Sequence, residues 1–298
     1  MNTVNPGNIR AWVLAGRPKT LPAAVMPVVI GTALALHDSM FRAGPAVAAL
    51  ICALLIQIGT NYANDLMDFK AGKDTPDRTG PTRAAASGWL TESQMMWGTV
   101  IVFVLTIPLG LYLIAAAGWP VLVIGLASIA AGVAYTGGPY PLAYHGLGDV
   151  FVFLFFGLVA TVGTYYVQAE QITGLSLLVA LPAGGLVTNI LVINNYRDIP
   201  TDRQTGKHTL AVMLGESGTR IEFIILALVS YAIPLILLLT HQFSLPILLP
   251  WLSAPVAVGI IRQLYTGMRG QALNKTLAQT ARLSLIFGLL FSAGLLFS

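Results

Sequence analysis

The amino-acid sequence predicts an all-α, polytopic membrane protein with nine transmembrane helices, arranged as two four-helix repeats plus a ninth helix around a central cavity. Three observations predict this. The 298 residues are 56% hydrophobic and only 9% charged, whereas soluble domains carry about 25% charged residues. The apolar runs repeatedly approach or exceed the ~20 residues that a helix needs to cross the hydrocarbon. The basic residues then fall almost entirely on one side. The whole chain, 1–298, reads as a single intramembrane domain.

In order, the expected spans are about 20–37, 45–67, 95–117, 119–136, 149–168, 174–194, 222–240, 245–265 and 279–297. A β-barrel would alternate polar and apolar residues, and runs such as Ile224–Leu228 do not. Lipid offers backbone groups no outside partner, which leaves helices. With this count, the N-terminus and the even-numbered loops hold fifteen of the sixteen Lys and Arg residues; the other side holds only Arg42. By the positive-inside rule the N-terminus and even loops are cytoplasmic and the C-terminus is outside. The net charge of +4 follows from this asymmetry and does not indicate a nucleic-acid partner. The first span, following Arg17 and Lys19, has some signal-peptide character but is long for one, and is read as a retained helix. Cys52 is the only cysteine, which excludes an intrachain disulfide and suits a packing role.

The segment NYANDLMDFKAGKDT (61–75) is echoed by NYRDIPTDRQTGKHT (195–209) at a constant offset of 134, with six of fifteen positions identical and Asn64 opposite Asp198. Each copy ends an apolar span and opens a cytoplasmic loop, which suggests the four-plus-four-plus-one plan. Internal repeats in membrane proteins often place the working site at their interface.

Helical spacing puts Asn61, Asn64, Asp65 and Asp68 on one face, and Asn195, Asp198 and Asp202 on another. Anionic groups at a membrane boundary and at helix C-termini are unfavourable, so a cation is expected between the stripes. Oxygen donors without His or Cys clusters suit Mg²⁺, which binds one or two carboxylates together with phosphate oxygens. Asp74 extends the first set. The four His residues are scattered, which argues against zinc. Lys70, Lys73, Arg78, Arg83, Arg197, Arg203 and Lys207 lie alongside the carboxylates, as a diphosphate requires. No P-loop or GxGxxG is present. Lys70, Arg83 and Asp77 read individually as solvated surface charges.

Asn64-Asp65-x-x-Asp68-x5-Asp74 and Asp198-x3-Asp202 resemble the two aspartate-rich motifs of the UbiA-type intramembrane prenyltransferases, and the resemblance covers nearly the whole chain. Three further stretches resemble the branch that prenylates 1,4-dihydroxy-2-naphthoate in menaquinone and phylloquinone synthesis. They are Arg17-Pro18-Lys19-Thr20-Leu21-Pro22, Ala134-Tyr135-Thr136-Gly137-Gly138-Pro139 leading to Gly146-Leu147-Gly148-Asp149, and Asn194-Asn195-Tyr196-Arg197-Asp198. The loop 136–148 lacks Lys and Arg, which weighs against a 4-hydroxybenzoate acceptor; homogentisate is a further alternative.

The resemblance implies a polyprenyl diphosphate donor, an aromatic acceptor, Mg²⁺ and a lipid bilayer as the working environment. It implies that Asn64, Asp68, Asp74, Asp198 and Asp202 hold the metal, with Asp65 in support. It implies that Lys73, Arg197 and Lys207 meet phosphate. Tyr62, Tyr135, Tyr165 and Tyr196 are candidates to face an allylic cation, Asp149 to orient or deprotonate an acceptor hydroxyl, and Arg17 and Lys19 to bind its carboxylate. A bacterial plasma membrane is the expected location. A rival class, an ion-coupled transporter, would place acidic groups near the bilayer midplane, whereas ten of the twelve acidic residues fall on the cytoplasmic side.

Overall fold

The computed structural model describes residues 7–74, 79, 80 and 82–298. Thr75, Asp77 and Arg78 lie outside the described residues. A short helix α1 (Ile9–Ala15), capped by the Asn8 side chain, ends at Gly16. Arg17 then takes a left-handed conformation (φ 51°) directly before Pro18. That turn launches α2 (Leu21–His37) through one 3₁₀ turn. Next come α3 (Ala43–Lys70), α4 (Glu92–Val104) and α5 (Thr106–Ala117). The last two form the single expected span 95–117, broken at Leu105 because Pro108 has no amide to offer the Val104 carbonyl.

After α6 (Pro120–Ala134), a continuous helix runs through α7 (Gly148–Val152), a π-helical stretch Phe153–Val159 and α8 (Ala160–Ala169). Then follow α9 (Gly174–Gln204) and α10 (Leu210–Leu239), the latter kinked where Gly215 has φ 68°. A 3₁₀ segment, Leu245–Ser253, leads into α11 (Ala254–Leu264), and α12 (Leu273–Phe297) ends the chain.

Among the described residues, eight helical segments are long and apolar enough to cross a membrane. The expected span 119–136 is instead the shorter α6, 15 residues, or about 22 Å at 1.5 Å per residue, less than the ~30 Å hydrocarbon thickness.

Several helices are longer than a straight crossing needs, and α3 and α9 are the two that carry the motifs. With 28 and 31 residues, α3 and α9 reach about 42 and 46 Å, so their last turns project beyond the apolar layer. Asn61–Asp68 and Asn195–Asp202 ride on those turns. The sequence reading ends the second of these spans near 194, but the helix continues ten residues further, to Gln204. The motif is therefore helical throughout, as its spacing requires.

At the centre, α9 packs against α2, α8, α10, α12 and the π-helical stretch. The main apolar cluster gathers around it, including Ile30, Leu34, Leu186, Ile193, Phe223 and Phe287. Glycine permits the tightest of these contacts. A Cβ on Gly157 would sit 2.6 Å from the Gly184 Cα, a close approach of small residues typical of membrane helix pairs. Gly157→Val is expected to destabilise the fold by about 1–3 kcal/mol, read as a lower unfolding temperature in detergent. An unchanged temperature contradicts the packing described.

Candidate active site

Asp68 is the hub of the projecting turns. It is 2% exposed, near the end of α3. One oxygen accepts from Tyr144 Oη at 2.5 Å and from Lys207 Nζ at 3.1 Å. The other accepts from Arg83 Nη2 at 2.5 Å. Charge-assisted bonds of this kind are about twice as strong as neutral ones. Burial, and next the Asp68 carboxylate beside it, push the Tyr144 phenol well up, so it remains a donor. The Lys207 and Lys73 ammonium groups lie 4.8 and 5.7 Å from the centre of the Tyr144 ring. Lys73 also donates to the Thr205 carbonyl. The two motifs therefore meet, each supplying a lysine that reaches across to the other.

On the α9 side, Arg197 grips the Asp198 next to it with Nε at 2.8 Å and Nη2 at 2.6 Å. Its remaining bonds go to Asn194 and to Asn274 at the start of α12. Asp198 also accepts from Thr79 Oγ1 at 2.7 Å, and Asn274 holds the Thr79 carbonyl. The loop after α3 is thus pinned to α9 and α12. The Arg197 side chain is fully buried, and four of its N–H bonds are engaged by Asp198, Asn194 and Asn274.

The remaining expected residues divide. Asn64 Oδ1 accepts from Thr136 at 2.8 Å, facing the site. Asp74 lies 3.5 Å from Arg83 Nε. Asp202 is half-buried and, with Asp68, Asp149 and Arg17, lies close enough to act electrostatically on Tyr135. Asp149 is 4% exposed, and its Oδ2 has no hydrogen-bond partner among the described residues. Arg17 is half-buried and Lys19 exposed.

Others turn elsewhere. Both oxygens of Asp65 accept backbone amides, from Ala84 at 3.0 Å and Ala85 at 3.1 Å, so Asp65 folds the loop that carries Arg83. The Tyr196 hydroxyl accepts from Arg220. Tyr62 bonds the Trp12 carbonyl, and Tyr165 bonds Asp38 at the opposite end of the bundle. Only Tyr135 of the four candidate tyrosines borders the cavity.

That cavity, of about 230 Å³, opens below Gln57, Thr60 and Tyr135 and is lined almost wholly by apolar side chains of α2, α3, α5, α6 and the Gly148–Ala169 helix. A rim of paired carboxylates and cations over an apolar chamber suits an amphiphile with a charged head.

A model of the UbiA prenyltransferase family matches residues 24–291. The chain belongs to the UbiA prenyltransferase family. It is 39% identical to the 1,4-dihydroxy-2-naphthoate octaprenyltransferase of Escherichia coli over 97% of this chain and 96% of that protein. Solved structures share its fold. A UbiA homolog from Aeropyrum pernix superimposes with TM-score 0.71 at 14% identity, covering 90% of this chain and 96% of the other. One from Archaeoglobus fulgidus, bound to DMAPP and Mg²⁺, does so with TM-score 0.66 at 12% identity, covering 94% and 99%. The protein is a membrane prenyltransferase.

Among the described residues no three His, Cys, Asp or Glu side chains gather as a self-sufficient metal cage. The donor set still fits Mg²⁺, which takes one or two carboxylates and completes its shell with water and phosphate oxygen. Asn64, Asp68, Asp198 and Asp202 are hard oxygen donors on facing helices.

Sequence reasoning misses Arg83, Tyr144, Thr79 and Asn274. Arg83 looks like a surface charge but is 7% exposed, with Nε and Nη1 lacking hydrogen-bond acceptors. Its position depends on Asp65, two loop amides away, which no spacing rule reveals. Replacing Asp65 with Ala leaves those buried amides unpaired, at ~1–3 kcal/mol. Trypsin is then expected to cleave after Arg83 in the variant and not in wild type; equal resistance contradicts the capping role.

Proposed function

We propose that this protein transfers a polyprenyl group from an allylic polyprenyl diphosphate to 1,4-dihydroxy-2-naphthoate, with Mg²⁺, losing diphosphate and CO₂ and giving a demethylmenaquinone-type precursor. The observation that carries this reading is the meeting of two acidic helix ends, with a lysine from each, over an apolar cavity. The relatives' name supports the acceptor, and the Mg²⁺ and DMAPP of the Archaeoglobus fulgidus homolog support the metal and donor class.

In this reading the diphosphate lies between α3 and α9 and the tail hangs in the cavity. Asn64, Asp68, Asp198 and Asp202, with Asp74 nearby, hold Mg²⁺. The metal supplies charge neutralisation on the departing diphosphate. Lys73, Lys207 and Arg83 turn from their present partners to phosphate oxygens; Arg83 has donors unspent for this. Their charge is fixed in place before the C–O bond opens, the preorganisation that makes such stabilisation effective. Tyr135, at the top of the cavity, presents its ring to the allylic cation. Arg17 and Asp149, of opposite charge and both near Tyr135, receive the acceptor, Arg17 at its carboxylate and Asp149 at a hydroxyl. The ring carbon bearing the carboxylate forms the new bond, and the carboxylate leaves as CO₂.

The same reading places nine crossings in the plasma membrane of a bacterium, with the site loops and N-terminus cytoplasmic. Contacts at the ends of α6 support a crossing there. Before it, the Ala116 carbonyl meets Arg42, which pairs with Glu170 at 2.6 Å at the far end of the bundle. After it, Thr136 meets Asn64 at the site. Contacts at opposite ends of the bundle on either side of α6 support reading α6 and its flanks as one crossing.

Purified protein in liposomes is expected to convert octaprenyl diphosphate and carboxyl-labelled acceptor to product, with one labelled CO₂ per transfer. Asp68→Ala and Asp198→Ala are each expected to lower turnover by about 100-fold or more, the scale set by losing one preorganised electrostatic group. Near-normal turnover in both variants, or transfer with the label retained, overturns the respective part of this reading.

A further inference from the structure

The cavity below the site has a floor. It is reached at Leu113, Val121 and Val167, which are only 5%, 8% and 4% exposed and pack together with Ala48 and Ala117. Fourteen residues separate Tyr135 at the top from Val121 at the bottom, a depth of about 21 Å along α6.

The lower wall is glycine on three different helices: Gly110 of α5, Gly125 of α6 and Gly163 of α8. Glycine in a membrane helix usually lets another helix come close, and Gly157 does so here. Gly110 and Gly125 do not. A Cβ built on either meets nothing within 4 Å, and one on Gly163 meets only Ile124, at 3.8 and 3.9 Å. Since glycine disfavours a helix interior relative to alanine, its repeated use where no helix approaches points to the space it leaves.

We propose that this glycine-walled lower chamber is a gauge for the hydrocarbon tail. Its depth sets the donor length beyond which further isoprene units stop improving kcat/KM. The proposal rests on the prenyl-donor reading above. Tail carbons inside the chamber leave water or lipid for protein contacts, and each buried unit adds binding until the floor is met. A larger side chain at the glycine wall raises the floor; a smaller one at Val167 lowers it.

The test is kcat/KM for a series of prenyl diphosphates of increasing length, in liposomes. In wild type the value is expected to rise with length and then level off. Gly125→Leu should level off at a shorter tail, with the ratio of long-donor to short-donor kcat/KM falling about tenfold, the order expected when a few buried methylenes are displaced. Val167→Ala should move the levelling point to a longer tail. Leu126→Phe, on the exposed face of α6, controls for insertion and should match wild type. Should Gly125→Leu fail to fold, Val167→Ala decides alone. Transfer with an unmoved levelling point in the folded variants overturns the gauge and leaves the donor reading standing. No transfer from any donor in wild type overturns the donor reading and the gauge together.

Discussion

Asp68 is the point on which the architecture turns. A carboxylate almost wholly buried at a membrane boundary is costly unless it is paired and hydrogen-bonded. Here it receives two cations and a phenol, from three separate parts of the chain: Arg83 from the loop after α3, Lys207 from the loop after α9, and Tyr144 from the loop before α7. One buried charge thereby gathers three loops over a single opening. Removing any one partner from such a buried set is expected to be far more damaging than replacing the whole set with apolar groups. The arrangement makes little sense as a device for stability alone. It makes sense as a site whose charges are to be re-partnered.

The depth of the membrane does the rest. Because α3 and α9 outreach the hydrocarbon layer, their polar turns emerge where water and soluble groups are available, while their lower turns line or support an apolar chamber. The carboxylates, the lysines and the top of that chamber thus come within one or two helical turns of each other. A headgroup and a tail of opposite character can be held at once only at such a boundary. Small residues deeper in α9 and the π-helical stretch keep the helices close enough that the chamber stays bounded.

Much of this was legible in the sequence. Hydropathy marks eight of the nine expected spans, and helical spacing gathers the stripes Asn64/Asp68 and Asp198/Asp202. The repeat offset of 134 pairs Lys73 with Lys207, and those two lysines do reach across to the opposite motif. What periodicity cannot show is where a non-repeating loop folds back. Arg83 is buried because Asp65 captures the amides of Ala84 and Ala85, and Thr79 is fixed because Asn274, 195 residues away, holds its carbonyl. Spacing also cannot tell which of two neighbours faces inward. Arg197 looks like a phosphate ligand, yet it spends its donors on Asp198, Asn194 and Asn274. Tyr196, next to it, turns to Arg220. The helix α6 is a different case. Its apolar run is interrupted by the Trp119-Pro120 entry and the Gly137-Gly138-Pro139 exit, so the helix is shorter than the run.

The central claim is that the ends of α3 and α9 form one binding site and not two adjacent ones. A double-mutant cycle on the binding of Mg²⁺ and inorganic diphosphate, followed by calorimetry for wild type, Asp68→Asn, Asp198→Asn and the double variant, tests it directly. A shared site predicts strong coupling, with the double variant losing at least about 1 kcal/mol less than the sum of the single losses. Additive losses, to within about 0.3–0.5 kcal/mol, would mean that the two aspartates act independently and would contradict the account.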